Sequence, residues 1–141
     1  MRFRSKLAAL AGMALAVTTL ATPAEAAASV CGSSYTKVGS YAIPKTGTRV
    51  GTLEVYYSSS TGKNCALAVG YGSTYGVKNT KAVFIGLAGP GMPWADDNSG
   101  SFEYYAGPVY VSAPGKCIAV QGVIYKGDTQ YLRHLDSVHC G

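Results

Sequence analysis

The sequence predicts an all-β domain, a small antiparallel sandwich or barrel of about seven or eight strands stapled by two disulfides. Three observations carry this reading. Apolar side chains recur with period two, not 3.6, from Thr36 onward. Glycine- and proline-containing clusters interrupt the apolar runs at short intervals. The composition favours strands and turns, with 11 Tyr and 18 Gly among 141 residues and only 13% charged side chains.

The elements follow in chain order. Leu53, Val55 and Tyr57 alternate with Thr52, Glu54 and Tyr56. Cys65, Leu67 and Val69 share one face, as do Val83, Ile85 and Leu87. Val109, Val111 and Ala113 repeat the pattern, followed by Ile118 and Val120 and then Val123 and Tyr125. Successive side chains of a strand point to opposite faces, so each run reads as a half-buried strand. Reversals are expected at Pro44-Lys45-Thr46-Gly47, 58–63, 70–76, 89–100 and Ala113-Pro114-Gly115, where Gly and Pro supply the required backbone angles. The segment 106–118 reads as a hairpin turning at Pro114-Gly115. Pro108 lacks a backbone donor and belongs at a strand start or on an edge. No stretch after residue 26 keeps a helical period over ten residues. Sandwich and barrel fit this strand count equally.

The N-terminus is a different kind of sequence. Arg2, Arg4 and Lys6 precede an apolar run from Leu7 to Ala21, and Ala24-Glu25-Ala26 forms a small-residue cleavage site. These are the three parts of a secretory signal peptide, expected at residues 1–26 and leaving a single domain at 27–141. A membrane anchor fits poorly, because a span needs ~20 apolar residues. Nothing later approaches that length, so no membrane span is expected after cleavage.

Export to an oxidising compartment makes Cys31, Cys65, Cys117 and Cys140 a disulfide set. Four cysteines allow three pairings. Cys31–Cys65 with Cys117–Cys140 is favoured, since each bridge then staples neighbouring segments and ties down one chain end. No CxxC spacing is present, so neither a thiolate metal site nor a redox pair is expected.

Charge and side-chain chemistry narrow the function classes. The whole chain carries +5, and residues 27–141 keep nine basic against six acidic side chains. The basic residues are scattered, whereas a nucleic-acid binder shows a basic stripe. No Gly-x-Ser-x-Gly elbow occurs; Gly72-Ser73-Thr74-Tyr75-Gly76 has the wrong spacing. His134 and Asp136 would share one face of a strand with His139 nearby, a hydrolase candidate without an identified nucleophile. Two histidines with one carboxylate could also hold zinc, but spacing specifies no further protein ligand there. Asp96 and Asp97, with Glu103 further on, read as a solvated turn rather than as paired catalytic carboxyls or a calcium loop. Gly89-Pro90-Gly91-Met92-Pro93-Trp94 is a candidate protease-inhibitor loop, though no cysteine tethers it.

Aromatic residues support binding better than catalysis. Tyr56-Tyr57 and Tyr104-Tyr105 are adjacent, so one ring of each pair faces outward in a regular strand. Tyr71, Tyr75 and Trp94 fall in expected loops. The candidate binding aromatics are therefore Tyr56, Tyr71, Tyr75, Trp94 and Tyr105. Exposed rings on a rigid scaffold offer large contact area at low entropic cost.

Several motifs recur together. Val30-Cys31-Gly32-Ser33-Ser34-Tyr35, Thr61-Gly62-Lys63-Asn64-Cys65, 104–111 and Val138-His139-Cys140-Gly141 resemble the spore-associated protein A family of small secreted actinomycete proteins. The resemblance takes in all four cysteines in order. It implies export, association with spores or the cell exterior, and no defined catalytic chemistry or cofactor. The expectation is a secreted, non-enzymatic surface protein whose partner is a cell-wall or spore-surface polymer or protein. A secreted protease inhibitor and a small hydrolase are the alternatives.

Overall fold

The structure is a computed structural model describing residues 30–141, and the expected signal peptide lies outside the described residues. Eight strands run in the order β1 (Thr36–Ile43), β2 (Gly51–Ser58), β3 (Lys63–Gly70), β4 (Asn79–Leu87), β5 (Asp96–Phe102), β6 (Tyr105–Ser112), β7 (Ile118–Lys126) and β8 (Thr129–Val138). They form two antiparallel four-stranded sheets, β1-β2-β3-β6 and β5-β4-β7-β8. The fold is a sandwich, with β1 beside β8 along one flank and β6 beside β5 along the other.

The expected alternation builds the core. Leu53 and Val55 of the first sheet meet Val83, Ile85, Val120 and Ile124 of the second. The sheets approach so closely that two positions admit no side chain. A Cβ on Gly122 would lie 2.8 Å from Ile43 Cδ1, and one on Gly51 would lie 2.6 Å from Ile124 Cγ1 and 3.0 Å from the Val69 carbonyl.

The outer face of the first sheet is covered as well. Cys31, Tyr35, Tyr56, Cys65 and Leu67 form a second apolar cluster there. The Cys31–Cys65 bridge holds the N-terminal segment against it, and Cys117–Cys140 joins the start of β7 to the end of β8. This is the pairing that the neighbouring-segment argument favours. Cross-links closing loops of this size stabilise by roughly 3–4 kcal/mol each in the chain-entropy model.

Four expectations are corrected. First, 106–118 is no hairpin: β6 and β7 belong to different sheets, and the Pro114-Gly115 turn carries the chain across the end of the sandwich. Both strands have an apolar face, and each buries it in the shared core from its own side. Second, β7 runs unbroken through Gly122, so Ile124 enters the core while Val123 and Tyr125 lie on the other face. Third, residues 96–100 are strand, not turn. This strand carries no apolar alternation because its inward carboxylate and amide are needed elsewhere. Asp96 Oδ2 accepts from Tyr110 N at 3.0 Å, and Asn98 Oδ1 accepts from Gly107 N at 2.8 Å, so β5 side chains satisfy the free edge of β6. Fourth, Tyr56 is fully buried and cannot be a surface ring; Tyr57 is the partly exposed member of that pair. Pro108 sits on edge strand β6, as expected, beside an irregularity in its pairing with β3.

The opposite flank is closed by a hydrogen bond of 2.7 Å between Tyr41 Oη and His139 Nε2. The Arg133 guanidinium stands 5.7 Å from the Tyr41 ring centroid. Burial holds the His139 imidazole below its ordinary value. The unfolded chain therefore binds a proton there before the folded chain does. Its contribution is complete above the ordinary imidazole pKa of about 6.5 and declines as pH falls below it.

Two measurements test this packing. Gly51→Ala should lower stability by about 1–3 kcal/mol, seen as an earlier denaturant midpoint at unchanged slope. The melting temperature should fall between pH 7.5 and 5.5, and His139→Gln should flatten that fall.

Candidate functional site

One end of the sandwich gathers exposed tyrosines. At the end of β3, a side chain on Gly70 would collide with the Thr74 carbonyl, and Gly70 N donates to the Tyr104 carbonyl at 2.8 Å. Thr74 anchors the loop that follows, since its buried hydroxyl accepts from Tyr71 N at 2.9 Å and donates to the Val50 carbonyl at 2.5 Å. A single turn of 3-10 helix, Gly72–Thr74, results, and its flanking rings are turned outward. Tyr75 packs edge-on to Tyr104 with centroids 5.0 Å apart, and Gly76 N donates to the Glu103 carbonyl at 2.9 Å. The Arg49 guanidinium covers the Tyr71 ring at 4.2 Å and donates to Thr52 Oγ1. Tyr105 opens β6 opposite Val69. Tyr71 and Tyr75 are 50% and 55% exposed, so these rings present real contact area despite their neighbours.

Beneath this end lies Lys81, a fully buried amine. Its Nζ donates to the Val77 carbonyl at 3.2 Å, to the Phe102 carbonyl at 2.6 Å and to Asn79 Oδ1. It thereby ties loop 71–78 to the end of β5. Burial lowers its affinity for the proton. Oxygen acceptors from three residues, without a carboxylate among them, compensate the ammonium.

Trp94 is elsewhere. Ala95 N donates to the Ile85 carbonyl at 2.9 Å, which lays 93–95 along β4. The indole contacts Phe84 at 5.6 Å and His134 at 6.0 Å between centroids. This is the far end of the β4–β5 pair from Tyr75 and Tyr104, which flank the Asn79–Phe102 end. The five candidate aromatics thus divide: Tyr71, Tyr75 and Tyr105 share one end, Trp94 occupies the other, and Tyr56 is interior. Tyr56 Oη donates to Glu54 Oε2 at 2.6 Å, and Glu54 also pairs with Lys37 at 2.9 Å. Burial, together with that carboxylate, pushes the Tyr56 hydroxyl well above the usual phenol range.

His134 and Asp136 both lie exposed on β8. Asp136 Oδ1 accepts from Ser137 N at 2.8 Å, while His134 abuts Trp94. Among the described residues no group of three or more His, Cys, Asp or Glu is arranged to hold a metal ion. Nor is any helix there long and apolar enough to cross a membrane.

Sequence reasoning missed Tyr104 and Lys81. For Lys81 a signal existed: it occupies an inward position of the run continued by Val83 and Ile85, where a charge has no place unless it has partners. Replacing it with methionine strands the oxygens it serves. Lys81→Met should destabilise the protein and speed amide exchange at Gly76, whose hydrogen bond depends on the tied loop.

No family model matches the chain, and no solved structure matches it. Among curated proteins, Spore-associated protein A of Streptomyces coelicolor is 39% identical over 95 residues, covering 67% of this chain and 56% of that protein. This chain therefore spans little more than half the length of that relative. The alignment agrees with the likeness carried by the cysteine-flanking motifs: the matched part of this chain belongs to the spore-associated protein A family.

Proposed function

We propose that the protein is exported and acts without catalysis at the spore or cell exterior, attaching to a surface polymer or partner protein through exposed tyrosine rings. The observation that carries this is the gathering of Tyr71, Tyr75, Tyr104 and Tyr105 at one end of a disulfide-stapled scaffold. Their loops are anchored through Thr74 and Lys81, so little conformational entropy remains to be lost on contact. Rings that combine apolar area with a hydroxyl suit partly hydrated surfaces. The relative's name, which describes association with spores, supports the location. The signal-peptide pattern at residues 1–26 supports export.

The test is retention of the secreted protein on isolated spore walls, peptidoglycan, chitin and cellulose. Retention that survives moderate salt should fall about tenfold or more in a Tyr75→Ala/Tyr104→Ala double variant, equivalent to about 1.4 kcal/mol, and persist in Trp94→Ala. Retention abolished by modest salt and indifferent to the tyrosines would reduce the interaction to net charge.

A further inference from the structure

An open cleft of about 580 Å3 borders loop 71–78, and none of Tyr71, Tyr75, Tyr104 and Tyr105 lines it. Its floor is the last row of the outer face of the second sheet. Thr80 pairs with Ser101 across β4–β5, and Tyr125 pairs with Gln130 across β7–β8. Lys81 opposes Ile124, so Tyr125 flanks Thr80. One wall is the loop, with Ser73, Val77 and Lys78; the other is the β7–β8 turn, with Lys126 and Asp128. The volume is that of an ordinary small-ligand site.

We infer that this cleft binds a short segment of an acidic saccharide, with a sugar ring against Tyr125, its hydroxyls on Thr80 and Ser101, and its anionic group between Lys78 and Lys126. Three features carry this. The lining combines hydroxyls with one aromatic ring, the complement of a polyhydroxylated ring that has apolar C–H faces. Two ammonium groups face one carboxylate, leaving the cleft cationic. Neither lysine is spent on an internal partner, since the one ion pair among the described residues is Lys37–Glu54. Finally, the site is rigid where it needs to be. Lys81 fixes the wall through the Val77 carbonyl, and Asn79 Nδ2 fixes the floor by donating to the Tyr125 carbonyl at 2.5 Å. A fixed wall and floor keep the ordering cost of binding low.

This inference rests on the surface-attachment reading and assigns it a ligand chemistry beside the tyrosines. The probes are tetragalacturonate and a phosphorylated dextran, with maltotetraose and tetraglutamate as neutral-sugar and non-sugar controls. Titration calorimetry on the secreted protein should show binding to at least one acidic sugar, with little to either control. The tighter of the two identifies the anion. Lys78→Ala and Lys126→Ala should each weaken it fivefold or more. Lys116→Ala, which removes the same charge at the opposite end, should change it less than twofold. Amide shifts at Thr80, Ser101 and Tyr125 should locate the sugar. Equal binding of tetraglutamate, equal weakening by Lys116→Ala, or no binding of either acidic sugar at millimolar concentration would overturn the inference. Retention on walls that depends on Tyr75 and Tyr104 but not on Lys78 or Lys126 would overturn the cleft alone and leave the attachment reading standing.

Discussion

The close approach of the two sheets at Gly51 and Gly122 sets the spacing of everything else. Where Gly122 passes Ile43 and Leu53, and Gly51 passes Ile124, the absence of a side chain lets large aliphatic groups from the opposite sheet reach in. The interior is filled by Val, Ile and Ala together with Leu53. A chain this short hides a limited share of its surface in one core. It compensates by burying the outside of the first sheet as well, under the N-terminal segment that Cys31–Cys65 holds in place. Tyr56 belongs to that second layer, which is why an aromatic on the outer side of a strand is interior.

A two-sheet sandwich leaves strand edges that must be satisfied or sealed. Here side chains do so from the neighbouring sheet. Asp96 and Asn98 supply acceptors to the edge of β6, and Tyr41 meets His139 across the other flank. A run of polar residues resembling a turn or an ion-binding loop is thus an edge seal, and its sequence follows from that duty. The same seal fixes β5 against β6 and with it the connection that displays Tyr104 and Tyr105.

The tyrosine end combines local and long-range order. Thr74 and Gly70 shape loop 71–78 from within, whereas Lys81 reaches it from the core and ties it to β5. A buried ammonium is expensive to desolvate and persists because several oxygens surround it. The tyrosine cluster and the neighbouring cleft share that loop, so one buried lysine supports both surfaces. Trp94 stands outside this arrangement, packed between Phe84 and His134 at the other end.

Period-two alternation by itself determined the all-β class, most strands and most of the core, because which face of a strand is apolar is a local property of the chain. Spacing within the chain was enough to favour the disulfide pairing, since each bridge joins cysteines that are consecutive in the sequence. Tertiary structure alone decided which sheet each strand joins. A turn such as Pro114-Gly115 reverses the chain equally well within a sheet or between two, and only the shared core selects the crossing. It also decided that β5 is a strand, because its side chains serve backbone groups of β6, a strand of the other sheet. The candidate surface was half legible. Turn chemistry exposed Tyr71 and Tyr75, but the burial of Tyr56, the pairing of Tyr75 with Tyr104 and the distance to Trp94 follow from how the sheets stack. Outward-facing and solvent-exposed are the same property only when nothing else covers the sheet, and what covers it is set by contacts that no short window of sequence contains.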